Sequence, residues 1–294
     1  MTTPSLRHRL TPTTPDTDQT IAVPLASLQV AGPDAHRFLQ GQLTNDLAHL
    51  DTATHFLAAV CAPDGKLVTI VSLQEMHADA VRLITYREHL SQLRVRLTQF
   101  RIRIKADIVE EDLAWATTPS SDATPLWPLN ATLTALAPTG DTGALEHFSD
   151  LRLSRLAIHL PTDAPGELLV ASVPGLVASA VSFTKGCYVG QELVARTDSR
   201  GAKPPISLFV QRFVPTSLET IAALPAPPLP LVDASGDHAG EIRALLLEDT
   251  TVVISGWVKR KFSQQSGLMI DARPATAIPT ALITETITKE TPTL

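Results

Sequence analysis

The chain has 294 residues, a formal net charge of −6 and only two cysteines, and these numbers exclude several classes of protein. Hydrophobic residues make up 44% and charged residues 18%, which is typical of a soluble globular protein. The negative charge disfavours binding of an anionic partner except at a local basic patch. Cys61 and Cys187 lack the spacing of a zinc site or a disulfide framework, which predicts a reducing compartment.

The sequence predicts neither a membrane span nor a secretory signal. No window offers the roughly 18 consecutive apolar residues that a transmembrane helix needs. Residues 1–20 have no apolar core of the signal-peptide kind, and two aspartates and several prolines disfavour an amphipathic helix there. We therefore expect a disordered leader over residues 1–20 and a cytoplasmic protein.

The first predicted unit, residues 21–116, mixes strands and helices. A strand is expected over residues 25–30, and Asp34 is expected to cap the helix that follows. Pro63, Asp64 and Gly65 separate two apolar runs, which predicts a hairpin. Cys61 ends the first of these runs and is interpreted as a small buried hydrophobic residue.

The rest of this unit continues the mixture. The stretch "VRLITY" predicts a strand, "REHLSQLRVRLTQF" a helix, and "RIRIKADIVEED" a half-buried strand, because basic and apolar residues alternate in it. Together these elements indicate an α+β unit with a largely antiparallel sheet. Five basic residues fall in this region and are interpreted as the solvated face of an exposed strand rather than as an anion site: Arg94, Arg96, Arg101, Arg103 and Lys105.

Two further units and a tail are predicted. Residues 117–205 begin with a loop or domain joint over 117–130 and continue as a second α+β unit. Residues 206–272 show short strands broken by Gly and Pro, which predicts a small β-barrel or sandwich. Residues 273–294 are expected to be a loose tail.

The stretch "SFTKGCYVGQELVAR", residues 182–196, contains the strongest candidate for chemistry. The run from Val189 to Thr197 is expected to be helical, which places Cys187 at or just before a helix N-terminus. Free N–H groups there, together with Lys185, would lower the pKa of the thiol. Such a thiolate could act as a nucleophile, carry sulfur, bind a metal transiently or sense oxidation. The alternative is an inert, buried cysteine.

The neighbouring polar residues leave two interpretations open. Gln191, Glu192 and Arg196 offer donors and acceptors to a polar ligand, or they form an ordinary first turn with a solvated ion pair of little energetic value. A second basic group follows the predicted helix closely and is, by position, a better candidate for an anion site than the five basic residues named above: Arg196, Arg200 and Lys203. The nine histidines show no metal-hydrolase spacing, so no metal site is expected, and no phosphate-binding, hydrolase or dinucleotide motif is present.

The octapeptide "KGCYVGQE", followed by "LVAR", closely resembles the signature of the YgfZ family of folate-binding proteins, relatives of the glycine-cleavage T-protein. The stretch "AGPDAHRFLQGQLTNDL" is similar to that family's first helix and following loop, and "AAVCAPDGKL" resembles its next hairpin. The resemblance extends, unevenly, from about residue 22 to residue 272.

The resemblance implies ferredoxin-like α+β folate-binding units followed by a small C-terminal β-barrel, all around a central cavity that takes tetrahydrofolate. It also implies a role in assembling or repairing iron–sulfur clusters in client enzymes, including one that methylthiolates tRNA, without direct contact with nucleic acid. The residues carried over as catalytic are Cys187 and Lys185. Those carried over as folate-binding or motif residues are Tyr188, Gly190, Gln191, Glu192, Arg196, Gln42, Thr44 and Asp46.

The chain also departs from the family that it resembles. It lacks the T-protein's glycine-tyrosine-threonine-glycine-glutamate motif, so strict aminomethyl transfer is not expected. Whether the protein is an enzyme stays open. The alternatives are a folate-dependent one-carbon transferase or demethylase, and a non-catalytic binding scaffold in which Cys187 only packs. A monomer without membrane contact is expected.

Overall fold

The structure is a computed structural model that describes residues 21–50, 56–117, 126, 128–136, 143–215, 217–263, 268–270 and 276–277. The predicted leader lies outside the described residues. The strands are β1 Ile21–Val23, β2 Leu25–Ala31, β3 Phe56–Cys61, β4 Lys66–His77, β5 Ala80–Tyr86, β6 Asp107–Glu111, β7 Ala114–Thr117, β8 Leu133–Leu136, β9 Leu168–Leu169, β10 Ile206–Phe213, β11 Leu229–Val232, β12 His238–Leu247, β13 Val252–Lys259, β14 Met269–Ile270 and β15 Thr276–Ala277. The helices are α1 Ala35–Gln40, α2 Leu90–Gln99, α3 Gly143–Ser154, α4 Leu160–Asp163, α5 Leu176–Ala180, α6 Gln191–Ser199 and α7 Leu218–Ala222.

The first sheet is antiparallel and has the strand order β3-β4-β5-β2-β6, with β9 paired to β4. The predicted strand over residues 25–30, the hairpin at 63–65 and the helix after residue 86 are all confirmed. Helices α1 and α2 pack on one face of this sheet, where Leu28, Leu73, Leu83 and Leu97 belong to one buried cluster. The α+β character of the first unit is therefore confirmed.

The expectation of a strand over residues 101–106 is wrong. The chain makes a turn there, with Arg103 at φ 60°, and only residues 107–111 join the sheet. The turn is held by Arg101, whose Nη1 donates to the carbonyl of Ala106 at 2.8 Å, and by Asp34, whose carboxylate accepts the Lys105 N–H at 2.8 Å. The five basic residues therefore share no strand face.

The middle of the chain is mainly helical in its described part. Helices α3 to α6 follow one another, while β8 joins β1 and β7 in a three-stranded sheet and β9 joins the first sheet. Its two strands thus extend sheets that begin earlier in the chain. A second ferredoxin-like unit therefore stays a prediction.

The C-terminal segment forms a six-stranded antiparallel sheet in the order β10-β13-β12-β11-β14-β15. Barrel closure and the domain boundaries stay predictions. Strand β15, Thr276–Ala277, pairs with β14 inside the stretch that was expected to be a loose tail.

One buried cluster joins all parts of the chain. It contains Ile84 and Tyr86 of the first sheet, Trp115 of the three-stranded sheet, Leu151 of α3 and Trp257 of β13. Among the described helices, none is long and apolar enough to cross a membrane.

A buried ion pair ties the middle segment to the C-terminal sheet. The carboxylate of Asp163 accepts hydrogen bonds from Arg152 at 2.9 and 3.3 Å and from the Ser255 hydroxyl at 2.7 Å. Because both charged side chains are almost fully buried, removal of either one would leave an uncompensated charge in the core.

Candidate functional site

Lys185 joins the octapeptide to the stretch "AGPDAHRFLQGQLTNDL", residues 31–47, which we call the N-terminal motif. Its Nζ donates hydrogen bonds to three backbone carbonyl oxygens, those of Gln40 at 2.7 Å, Leu43 at 2.7 Å and Asn45 at 2.8 Å. Three donors is the full capacity of an ammonium group. Burial lowers the pKa of Lys185 to about 8, against an opposing effect of Asp46. We call this arrangement the lysine clamp.

Backbone hydrogen bonds support the clamp on both sides. The Ser182 N–H donates to the carbonyl of Thr44 at 3.0 Å, and the Val189 N–H donates to the carbonyl of Gly41 at 3.1 Å. The Thr44 hydroxyl donates to the Ala180 carbonyl at 2.5 Å and accepts the Ala59 N–H at 2.8 Å. Two motifs about 140 residues apart in the chain thus form one unit.

Two glycines allow the octapeptide to meet the β3–β4 hairpin. Gly190 has φ +85°, and a Cβ there would lie 2.7 Å from the Ala62 carbonyl oxygen and 2.7 Å from the Cys61 Cβ. Gly65 has φ +81°, and a Cβ there would lie 2.4 Å from the Leu193 Cβ. Left-handed backbone and close packing both require glycine at these positions.

Cys187 is exposed, whereas Cys61 is buried. Burial raises the pKa of the Cys61 thiol to about 12, so the interpretation of Cys61 as a core residue is confirmed. Helix α6 begins at Gln191, with Gly190 as its N-cap, so Cys187 lies in the loop three residues before the cap. The helix therefore starts later than its expected first residue, Val189.

The expectation for Lys185 also needs correction. The charge was expected to face the Cys187 thiol, but the carbonyl oxygens of residues 40, 43 and 45 occupy all three of its donors. These acceptors satisfy a buried ammonium group, which would otherwise be costly to desolvate. Lys185 therefore holds the loop that presents the thiol.

The remaining residues of the octapeptide divide between core and surface. Tyr188 is buried, with its ring 5.3 Å from the Lys185 Nζ, and burial raises the pKa of its phenol. Glu192 and Arg196 form an ion pair one turn apart on the exposed face of α6. This pair matches the alternative interpretation of a solvated pair of little energetic value.

The three residues carried over from the N-terminal motif are all close to the clamp. Thr44 supports it as described above. The carboxylate of Asp46 accepts the Ala48 N–H and the Gln40 amide, and the first of these bonds is the main cause of its lowered pKa. Gln42 is buried, and its side-chain oxygen accepts a hydrogen bond from Arg96 at 2.9 Å.

Arg96 is a buried residue that the sequence interpretation placed on a solvated surface. Its Nε donates to the Cys61 carbonyl at 2.8 Å, and its guanidinium lies 4.2 Å from the centre of the Phe100 ring. Leu93 and Leu97 flank it on the buried face of α2. The spacing of Leu93, Arg96 and Leu97, at i, i+3 and i+4, could have indicated this burial.

Unpartnered polar atoms lie on the opposite face of the first sheet from α1 and α2. Ser27 and Ser72 are both directly opposite Ile84 in the strand register, so all three side chains share one face. Both hydroxyls and the Trp115 Nε1 are buried without a hydrogen-bond partner among the described residues. Arg82, on the same face, pairs with Glu111 at 2.6 Å and lies 5.6 Å from the Trp115 ring centre.

A cleft of about 210 Å³ lies between α6 and the segment around Val170. Its lining includes none of residues 185–192. Within the described part of the chain, no group of three or more His, Cys, Asp or Glu residues is arranged for a metal ion.

No protein-family model matches the chain. It is 29% identical over 214 residues to the tRNA-modifying protein YgfZ of Klebsiella pneumoniae, covering 59% of this chain and 65% of that protein. It is also 29% identical over 269 residues to the mitochondrial iron-sulfur cluster assembly factor IBA57 of Mus musculus, covering 74% of this chain and 72% of that protein. The chain is therefore similar to proteins of the T-protein-like YgfZ family.

The fold agrees with this similarity. The crystal structure of glycine cleavage system aminomethyltransferase T from Bartonella henselae matches with a TM-score of 0.66 at 13% identity, over 90% of this chain and 86% of that one. At that identity the likeness shows the T-protein fold alone. The chain spans 65% of the length of two YgfZ proteins, from Klebsiella pneumoniae and Edwardsiella ictaluri, so their activity is a matter for proposal.

Proposed function

We propose that this chain, like the YgfZ family it resembles, binds a reduced folate, tetrahydrofolate, and supports the assembly or repair of iron–sulfur clusters in client enzymes, including one that methylthiolates tRNA. The thiolate of Cys187 is the group that contacts the cluster or reacts. The names of the YgfZ and IBA57 relatives, one a tRNA-modifying protein and the other an iron-sulfur cluster assembly factor, support this assignment.

The observation that carries the proposal is an exposed thiol on an anchored loop. Cys187 is exposed, while Lys185, two residues earlier, is held by three carbonyl oxygens. An exposed thiolate can bind iron or attack an electrophile, whereas a buried thiol such as Cys61 cannot be reached. The lysine clamp fixes where the thiol stands, which favours a defined contact with a partner's cluster.

The polar atoms on the face of the first sheet opposite α1 and α2 suit a folate. Ser27 and Ser72 each offer a hydroxyl, and Trp115 offers an N–H, without a partner within the described ranges. A pterin ring presents both donors and acceptors along its edge, and its flat faces suit the apolar neighbours Ile84 and Tyr86. These residues would hold the ring. When bound, the folate would supply one-carbon chemistry or act as an allosteric ligand.

Titration with tetrahydrofolate tests the folate part of the proposal. Wild type, Cys187→Ala and Cys61→Ala are titrated by calorimetry. Saturable binding to all three is expected, because neither thiol is among the polar groups proposed to hold the ring. Absence of binding to the wild type would remove the folate and leave the scaffold alternative.

Complementation tests the thiol part separately. The three proteins are expressed in bacteria that lack their own YgfZ protein, and methylthiolated tRNA and iron–sulfur enzyme activity are measured. Cys187→Ala is expected to fail while Cys61→Ala restores both readouts. Full activity of Cys187→Ala would refute the role of the thiol. Turnover of a methylated substrate by the purified protein alone would instead support a one-carbon enzyme.

A further inference from the structure

The cleft beside α6 has a lining suited to an apolar side chain. Its walls are mostly aliphatic, and none of the lining side chains is aromatic: Leu169, Val170, Ala171, Val177, Leu193 and Val194. A cavity of about 150 Å³ lined by apolar groups takes one benzene-sized molecule. At about 210 Å³, this cleft has room for one large apolar side chain.

Basic residues surround the end of the cleft where α6 finishes. Gly201 and Ala202 line the cleft, and Arg200 and Lys203 flank them as exposed residues. Arg260 extends this group, since its Nη1 donates to the Lys203 carbonyl at 3.4 Å. We call Arg200, Lys203 and Arg260 the basic rim.

The basic rim is free to attract an anion. None of its three residues has an acidic partner in the described part of the chain, whereas Arg196 pairs with Glu192. Asp198 is the one acidic residue of the lining. The rim therefore keeps an excess of positive charge on a protein whose formal net charge is −6.

The opposite end of the cleft has the reverse balance. Beside Gly65, Lys66 bridges two carboxylates, those of Asp64 at 3.0 Å and Glu167 at 2.7 Å. One cation between two anions leaves that end slightly negative. The cleft is therefore polarised along its length, and a ligand with acidic groups on one side of an apolar anchor would be complementary to it.

We propose that this cleft and its basic rim form a docking site for an acidic segment of a partner protein, with one apolar side chain of that segment in the cleft. A protein segment is favoured over nucleic acid because single-stranded nucleic acid is bound by stacking its bases on aromatic rings, and the lining provides none. This docking site does not depend on folate binding or on Cys187.

The probe is a fluorescein-labelled synthetic peptide in which one leucine is followed by glutamates. Its anisotropy is measured against the full chain at low and at moderate salt. Two control peptides replace the leucine by serine or the glutamates by glutamine. A labelled oligouridylate tests the nucleic-acid alternative.

Two charge-reversal variants form a matched pair. Arg200→Glu with Lys203→Glu alters the rim, while Arg103→Glu with Lys105→Glu makes the same change of net charge in the turn after α2. Both pairs are exposed, so both variants are expected to fold. The rim variant should weaken binding by about tenfold or more and the turn variant by less than about twofold. Ala202→Trp, which fills the cleft without a change of charge, should also weaken binding.

The outcomes that overturn the docking site are distinct from failure of the proposed function. Equal weakening by the two charge-reversal variants would mean that only the overall field matters. Absence of binding of the probe peptide up to about 1 mM would also refute it. So would binding of the two control peptides as tight as that of the probe peptide. Tighter binding of the oligouridylate would replace the acidic segment by nucleic acid.

Discussion

Replacement of Lys185 by methionine removes the clamp while keeping a long unbranched side chain. The change deletes three hydrogen bonds from a charged donor, at 2.7, 2.7 and 2.8 Å, and leaves three carbonyl oxygens without this partner. Hydrogen bonds to charged groups contribute roughly 1.5–3 kcal/mol each, so the gross loss is about 4.5–9 kcal/mol.

Desolvation of the ammonium offsets part of that loss. Burial lowers the pKa of Lys185 from 10.5 to about 8, and one pKa unit corresponds to about 1.4 kcal/mol, so the offset is about 3 kcal/mol at neutral pH. Because the folded-state pKa is the lower one, this cost is present below pH 8 and declines as the pH rises toward 10.5. The expected net loss of unfolding free energy is about 1.5–6 kcal/mol.

Thermal unfolding and amide hydrogen exchange measure this loss. For a chain of this size, 3 kcal/mol lowers the melting temperature by about 5 °C. Exchange at the Ser182 and Val189 amides, which bond to the N-terminal motif, should become faster. The matched control is Lys203→Met at an exposed lysine, with an expected change within about 0.5 kcal/mol. An unchanged melting temperature and unchanged exchange in Lys185→Met would refute the clamp.

Three other experiments, one by thiol labelling and two by substitution, test the surrounding structure. In the native protein at pH 8, a disulfide reagent should label Cys187 quickly, whereas Cys61, with its pKa raised to about 12, should react only after unfolding; fast labelling of both would contradict its burial. Ser27→Ala should leave stability unchanged or raise it by up to about 1 kcal/mol, since the hydroxyl is buried without a partner within the described ranges. The same change should weaken tetrahydrofolate binding about tenfold. Unchanged affinity in the titration would exclude this face of the sheet as the folate site. Gly190→Ala should lower the free energy of unfolding by more than about 2 kcal/mol in denaturant titration, because its Cβ would lie 2.7 Å from a backbone oxygen. The control Gly186→Ala, whose Cβ would have no atom within 4 Å, should lower it by less than about 1 kcal/mol. Equal losses would contradict the close packing at Gly190.

Local patterns predicted much of the first unit. Turn residues at 63–65 between apolar runs and the helical spacing of Leu90, Leu93 and Leu97 are short-range signals, and both elements formed as expected. The stretch 101–106 has an alternating pattern typical of a strand, but it turns because Asp34 accepts the Lys105 N–H. That partner is 71 positions away, and no local pattern shows it.

The sequence singled out two stretches that lie together in the structure, but not the contacts that join them. The octapeptide and the N-terminal motif were both singled out, and the structure brings them together. Lys185 was expected to act on the thiol, because a lysine beside a cysteine is a familiar activating pair. Its true partners are main-chain carbonyls, which every residue possesses, so no side-chain pattern could mark them.

The bonding of Lys185 to backbone carbonyls changes how a loss of function at Lys185 should be interpreted. The acceptors at residues 40, 43 and 45 are backbone atoms, so most side-chain changes there preserve the clamp, while any change of Lys185 removes it. Loss of the clamp frees the loop that carries Cys187 without altering the thiol itself. An inactive Lys185 variant is therefore not evidence for proton transfer or thiol activation by the lysine. Only a variant that keeps the melting temperature and the slow exchange of Val189, yet loses function, would assign Lys185 a role in the chemistry.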